Sequence, residues 1–197
     1  MKKYELEISN LIVHFGKQEL LDVFQERVWP AFDMELESHR GETYLYKFIQ
    51  VGFAKIDDDH YLCGRLMQRM HIKARQRLSK GDNLVSTDDE MSSDPTSIFL
   101  LRLFDHKLFL VPEQPRSPRS KTFKYVVSKL LNELYLNLYS QERANYMEKH
   151  EVKRLTKELR EKFETEFDKK YPEPDVSLNP IGSKANVDEI LDAMAAG

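Results

Sequence analysis

The chain has 197 residues, of which 41% are hydrophobic and 32% are charged, and its formal net charge is -3. This composition is typical of a water-soluble globular protein and excludes a disordered chain. No apolar run approaches the roughly 18 residues that a membrane-crossing helix needs, so we expect no membrane partner. The single cysteine, Cys63, excludes an intramolecular disulfide and a multi-cysteine metal site, which favours a reducing, cytoplasmic setting.

The N-terminal part of the chain predicts a strand, a helix and a hairpin. Alternating polar and apolar residues predict a strand over 4–14. Apolar positions three and four apart then predict a helix over 17–29, which ends before Pro30 because a proline restricts the residue that precedes it. Aromatic and β-branched residues in 44–56, followed by the polar residues 57–60, predict a strand and the turn of a hairpin.

The next segment, 62–80, fits either a helix or a strand, because four of its bases are spaced four apart and all occupy odd positions. The preceding turn and Gly64 favour a strand to at least Ile72, with alternate apolar residues facing the core. These core residues are Leu62, Leu66, Met70 and Ile72. Residues 81–95 hold five acids and no bases, which predicts a mobile surface loop.

A second hairpin, a connection and a helix follow. The apolar runs 98–103 and 108–111 around the tight segment 104–107 predict the hairpin. The proline-rich segment 112–121 predicts an exposed, extended connection. Over 123–138 the apolar residues repeat at the spacing of one helix face, which predicts a helix lying across the sheet.

Beyond Ser140 the charged residues dominate, and we expect a long, solvated helix with a thin apolar stripe that needs a partner. The stripe consists of Val152, Leu155, Leu159, Phe163 and Phe167. Prolines 172 and 174 end this helix, VSLNPI predicts a short strand, and 187–194 predict another helix. Because this last pair has no further strand beside it, we expect the chain to be a piece of a longer protein.

These elements together predict an α+β fold. It consists of a mainly antiparallel sheet of two hairpins and an N-terminal strand, with helices on one face and a long charged helix toward the C-terminus. We expect an α+β domain over 1–144. A helical extension with a short strand and helix follows over 145–197, as the start of a truncated second unit.

The sequence carries no recognisable catalytic motif. It lacks GxxxxGK[ST], GxGxxG, HExxH and GxSxG, so we expect a non-enzymatic protein without cofactor or metal. The acids 57–59 leave open a metal-dependent nuclease, because clustered carboxylates supply oxygen ligands, although acidic turns are usually solvated. His106 is a candidate general base, but a turn histidine is more often a surface or packing residue. Cys63 has the pattern of a small buried hydrophobe.

Bases cluster in two segments. Six bases and no acid lie between Arg65 and Lys80, and more follow in the second connection. Brought together by the sheet, these bases would form a phosphate-binding surface. The predicted nucleic-acid-binding residues are Arg65, Arg69, Lys73, Arg75, Arg77, Arg116, Arg119 and Lys121.

One alternative to a nucleic-acid interface is a solvated basic face whose charge the acids 88–90 balance. Another is a protein-interaction or assembly domain, including a homo-oligomer, that uses the apolar stripe.

The segment FLLRLFDHKLFLVPEQPRSPRSKTF contains a strand, a turn histidine, a second strand, a Ser-Pro loop and a helix in that order. It resembles an uncharacterised bacterial domain family associated with phage-defence genes, and His106, Ser117 and Pro118 carry the resemblance. Residues 175–194 resemble the strand and helix that open the second half of such proteins. The resemblance implies an intracellular defence role and supplies no catalytic residues. We therefore expect a recognition module of an anti-phage system that binds nucleic acid.

Overall fold

A computed structural model describes residues 5–33, 38–40, 44–78 and 84–181. The strands in these ranges are β1 (Glu7–Phe15), β2 (Gln18–Glu19), β3 (Ser38–Arg40), β4 (Tyr44–Ile56), β5 (Asp59–Leu78), β6 (Leu84–Ser93), β7 (Thr96–Arg102), β8 (Lys107–Pro112) and β9 (Pro174–Pro180). The helices are a π-helix (Phe24–Val28), α1 (Trp29–Asp33), α2 (Ser120–Lys149) and α3 (Lys157–Lys170).

All the described strands belong to one sheet with antiparallel pairing. The order is β2–β1–β8–β7–β5–β4–β3, while β6 pairs with β5 and β9 pairs with β1. Alternate residues of the central strands are buried in one cluster with α1 and the first half of α2. The predicted α+β fold is confirmed, because the sheet buries one face beneath helices.

The core between the sheet and α2 is built around phenylalanine rings. The ring centroids of Phe48 and Phe99 lie 5.4 Å apart, and each lies 5.2 to 5.3 Å from that of Phe123 on α2. Phe32 on α1 completes the group at 4.8 Å from Phe48. Gly64 on β5 leaves room for this packing, since a Cβ there would lie 3.0 Å from the ring of Phe99. Edge-on aromatic pairs of this kind each contribute roughly 0.5–1.5 kcal/mol beyond the burial of their area.

Both predicted hairpins are present. Asp57 and Asp58 join β4 to β5, and Asp57 has a φ of 53°. Aspartate tolerates this left-handed conformation better than most residues do. The ambiguous segment after the turn belongs to β5 and is therefore a strand, with Leu62 and Leu66 buried as predicted. The side chains of residues 70 and 72 lie outside the described residues.

The loop predicted over 81–95 is wrong, because β6 occupies most of that segment. β6 runs antiparallel to the far half of β5, from Met70 opposite Ser93 to Leu78 opposite Leu84. A strand at this position needs only backbone partners, and β5 offers them beyond the end of its pairing with β7. Acidic composition cannot reveal this pairing, since it carries no information about which backbone groups lie opposite the segment.

The helix predicted over 17–29 is wrong in its bounds and its type. β2 pairs back with β1, and the π-helix that follows leads directly into α1. The N–H of Trp29 bonds to the carbonyl of Phe24, five residues earlier. Pro30 then lies in the first turn of α1, where a missing N–H is tolerated, so it begins an α-helix rather than ending one.

The long charged helix expected after Ser140 is instead the end of α2 followed by α3, which folds back against it. The ring centroid of Tyr139 on α2 lies 5.3 Å from that of Phe163 and 5.0 Å from that of Phe167. Leu155 and both phenylalanines are buried. At the margin of this cluster lie Tyr135, Leu138, Tyr146, Met147, Val152, Leu159 and Tyr171. The stripe therefore packs within the same chain, and its use as an interface with another chain stays a prediction.

A helix-ending motif joins α2 to α3. The N–H of Val152 bonds to the carbonyl of Met147 at 3.1 Å. The N–H of Glu151 bonds to the carbonyl of Glu148 at 3.0 Å, which completes a Schellman motif. Glu151 has a φ of 50°, where glycine is the usual residue. Thr156 then caps α3 with its hydroxyl oxygen, so both helix ends at this turn are satisfied.

The C-terminal strand returns to the sheet. β9 covers most of the predicted VSLNPI strand and pairs with β1 from Ser9 opposite Pro180 to Phe15 opposite Pro174. The domain boundary expected after residue 144 falls inside α2, and the described elements on either side of it share one sheet. The helix predicted over 187–194 lies outside the described residues.

We expect Leu130→Ala to lower the free energy of unfolding by about 2–5 kcal/mol, because the side chain is only 1% exposed and its removal leaves a cavity beneath the sheet. Asn132→Ala, an exposed neighbour on the same helix, should change it by no more than about 0.5 kcal/mol. Urea titrations of the two variants check this. Equal losses would contradict the assigned face of α2.

We expect Glu151→Gly to raise the free energy of unfolding by up to about 1 kcal/mol, because glycine adopts the left-handed conformation without steric cost. Glu148→Gly, in the last turn of α2, should lower it by about 1 kcal/mol. Thermal melts of both variants test the helix-ending motif. A loss of stability in Glu151→Gly would contradict it.

Candidate nucleic-acid interface

The two predicted bases of β5 whose side chains are described are paired with acids from neighbouring strands and loops. Arg65 lies 3.1 Å from Glu113, measured from its Nε to Oε2, and also bonds to the side chain of Gln50. Arg69 holds Asp94 through two nitrogens, the shorter contact being 3.0 Å. Both predicted bases of β5 whose side chains are described are therefore neutralised by carboxylates.

The remaining predicted bases of β5 are placed only by their backbone. Lys73, Arg75 and Arg77 lie on the far half of β5, where the pairing with β6 shifts register between Ala74 and Gln76. The backbone register sets Lys73 opposite Glu90, on the strand that carries the acids 88–90. Their side chains lie outside the described residues.

The bases of the second connection differ among themselves. Arg119 lies 2.8 Å from Glu5 and 2.9 Å from Glu7, and hydrogen bonds to these two carboxylates raise its pKa. Arg116 and Lys121 are exposed and form no ion pair within the described residues. Of the predicted bases with described side chains, only these two remain available to an anionic partner.

The Ser-Pro loop is an exposed connection with a buried centre. Residues 114–116, Arg119 and Lys121 are exposed, as predicted, whereas Ser117 and Pro118 are buried. The hydroxyl of Ser117 donates to the carbonyl of Thr96 at 2.7 Å, and the hydroxyl of Ser97 donates to the carbonyl of Pro118 at 2.6 Å. These bonds tie the loop to the start of β7 and fix the entry of α2.

His106 and Cys63 occupy structural positions. His106 has a φ of 59°, its carbonyl accepts a hydrogen bond from the N–H of Leu11, and its Nε2 is buried without a partner among the described residues. A general base needs contact with substrate, which this enclosed nitrogen does not offer. The thiol of Cys63 donates to the carbonyl of Gly52 at 3.4 Å.

The acids of the first turn do not converge on a metal site. Asp59 accepts a hydrogen bond from Arg102 at 3.1 Å, whereas Asp57 and Asp58 form the exposed turn. In the part of the chain that the structure describes, no group of three His, Cys, Asp or Glu residues is arranged to hold a metal. The metal-dependent nuclease alternative therefore gains no support from these side chains.

Among the described residues, the largest cluster of unpaired cations lies at the turn between α2 and α3. The sequence predicts a solvated helix in this region. We call this cluster the basic turn. Its cations are Lys149, Lys153, Arg154, Lys157 and Arg160. All five are exposed, and none forms an ion pair with a described residue. The same segment holds only two acids, so the basic turn carries a local charge of +3.

The basic turn was missed because acids and bases alternate around it and suggest mutual pairing along one helix. α2 ends at Lys149 and α3 begins at Lys157, so residues 150–156 interrupt the helical spacing that such pairing needs. The positive end of the α3 dipole lies at Thr156, which reinforces the positive potential. The available signal was the local excess of five bases over two acids in KHEVKRLTKELR.

No family model matches this sequence, and neither a curated protein nor a solved structure does. Within the described residues, no helix combines the length and the apolar character needed to cross a bilayer.

We expect Asp105→Asn to make stability less dependent on pH between about 4 and 2. Burial raises the pKa of Asp105, but hydrogen bonds from Arg102 and Lys107 outweigh it and lower the pKa from 3.8 to about 2. The ionised carboxylate therefore stabilises the fold above pH 3.8, and this contribution is lost as the pH falls through 2. Urea titrations over this range, with the exposed Asp58→Asn as control, measure the difference. Parallel profiles for Asp105→Asn and the wild type would count against this ion pair.

Proposed function

We propose that this protein is a non-enzymatic nucleic-acid-binding module that contacts phosphates through the basic turn. The observation that carries this proposal is the set of five exposed cations at 149–160 that have no ion-pair partner among the described residues. The chain as a whole has a charge of -3, so attraction to an anionic polymer must come from a local surface. Neutralising backbone phosphates with lysine and arginine releases counterions and drives such binding.

The chemistry of the basic turn favours a duplex over a single strand. Proteins that bind single strands combine cations with aromatic side chains on which the bases stack. The segment 149–160 contains no Phe, Tyr or Trp, and the tyrosine of the preceding turn, Tyr146, packs in the cluster between α2 and α3. Cations without a stacking platform contact phosphates and read no bases, so we expect binding that depends little on sequence.

Removing two cations of the basic turn should weaken duplex binding. Lys153→Ala with Arg154→Ala should lower the affinity for a DNA duplex of random sequence and reduce the salt slope of log K by about two, one for each lost phosphate contact. Fluorescence anisotropy across a salt titration measures both quantities. Lys17→Ala with Lys169→Ala removes the same charge from exposed positions outside the turn, and should leave the salt slope nearly unchanged.

Two results would overturn the proposal. Equal slopes in the two double variants would show that the basic turn makes no phosphate contacts. Absence of duplex binding by the wild-type chain at low salt would rule out the duplex as the ligand. Binding to a protein partner would then be the function to test. Thermal melts of each variant confirm that binding is compared between folded proteins.

The remaining predicted bases provide a second surface for the same experiment. Arg116 and Lys121 are exposed, whereas Arg65, Arg69 and Arg119 are held by carboxylates. We infer that any contribution from the Ser-Pro side of the molecule comes from the first two residues. Arg116→Ala with Lys121→Ala, measured as above, quantifies it.

The biological setting that we propose is bacterial phage defence in the cytoplasm. It is supported by the resemblance carried by His106, Ser117 and Pro118, and by the single cysteine. Expression in a bacterial host challenged with phage tests this setting. Protection that is lost in the Lys153→Ala and Arg154→Ala variant would link it to the basic turn, and plaque numbers that do not change with expression would contradict the setting.

A further inference from the structure

Arg27 is a half-buried cation without a carboxylate partner in the described part of the chain. Its Nη2 donates to the carbonyl of Pro172 at 2.7 Å, and its Cζ lies 4.1 Å from the ring centroid of Phe15. Its Nη1 is buried and has no acceptor among the described residues. Burial lowers the pKa of Arg27, against the opposing influence of Tyr135 and Tyr171. A buried donor without an acceptor is costly and rare in folded proteins.

Arg27 also lines a cleft of about 500 Å³ between the π-helix and α2. Phe15, Leu131 and Leu134 contribute apolar walls, and Gln141 adds an uncharged polar group. Glu26, Tyr135, Asn137 and Ser140 also line the cleft, so its wall combines apolar and polar groups. A cleft of this size is typical of sites for small organic molecules. The guanidinium of Arg27, which has no carboxylate partner among the described residues, therefore borders a cleft that a ligand carboxylate can enter.

The local backbone sets Arg27 at this position. The π-helix from Phe24 to Val28 forms one turn that is wider than an α-helical turn, closed by the bond from the Trp29 N–H to the carbonyl of Phe24. Such turns are rare and are found frequently at functional sites, where they displace a side chain from its α-helical position. Pro30 follows at once and lines the same cleft, so the segment forms one wall of it.

We propose that this cleft binds a small organic monoanion, in which a carboxylate on an apolar body pairs with Arg27. A planar guanidinium matches a carboxylate in both charge and geometry. Glu26 lines the same cleft and repels a second negative charge, which disfavours a phosphate dianion or a nucleic-acid backbone. The apolar body of the ligand contacts Leu131 and Leu134 on α2.

This cleft is separate from the basic turn. Along α2, Gln141 of the cleft wall and Lys149 of the basic turn are about 12 Å apart at 1.5 Å per residue. A ligand of the cleft and a duplex at the turn therefore do not share contacts, and each can be tested while the other remains intact.

Phenylacetate serves as the probe, with uncharged phenylacetamide as its matched control. The melting temperature of the full chain should rise in a saturable way with phenylacetate and stay constant with the amide. Arg27→Met keeps an unbranched apolar side chain and removes an unpaired charge, so it should fold and lose the response. The exposed Lys17→Met should keep it. Lys153→Ala with Arg154→Ala should also keep it, which separates this proposal from duplex binding.

The proposal is overturned if phenylacetate gives no response, if phenylacetamide matches it, or if Arg27→Met responds like the wild type. If Arg27→Met does not fold, the proposal is tested instead by the NMR resonance of the Arg27 Nε–H in the wild-type chain. It should move on addition of phenylacetate and not of the amide. A resonance that does not move with the acid would also overturn the proposal.

Discussion

Packing of the first half of α2 across the sheet is the contact on which the other features depend. Phe123 brings α2 against Phe48 and Phe99, and the buried leucines that follow hold the helix along the same face. Because the helix is rigid and 30 residues long, its second half provides a surface beyond the main core. That surface receives α3, places the basic turn at its far end, and forms one wall of the cleft at Arg27.

The sheet determines which of the described charged side chains are paired. Bases on β5 meet acids on adjacent strands and connections, as Arg65 does with Glu113 and Arg69 with Asp94. Partly exposed pairs of this kind contribute little to stability, but they remove positive potential from the surface. The basic turn has no strand beside it to supply acids. Its cations therefore remain available, and the contrast explains why a slightly acidic protein can still present a basic site.

The second aromatic cluster shows how a charged helix becomes ordered. α3 alone has too narrow an apolar stripe for isolated stability, since most helical stability in proteins comes from tertiary packing. Tyr135, Tyr139 and Tyr146 on α2 supply the missing surface. Tyrosine can do this at a solvent-facing site because its ring packs while its hydroxyl stays near water. Because tyrosines occupy these positions, the sequence of α2 shows no obvious apolar stripe in this region.

The sequence by itself determined the features that depend on local periodicity. These are the alternating strands of the two hairpins, the stripe on α2 that lies on the sheet from Phe123 to Leu134, and hence the α+β class. Tertiary structure alone decided which acids neutralise Arg65, Arg69 and Arg119, because those partners are distant in sequence. It also decided that 84–93 form a strand, that α3 folds back on α2, and that the cations near residue 150 stay unpaired. Pairing, register and unmatched charge depend on what lies opposite a residue in space, and local spacing carries no information about that.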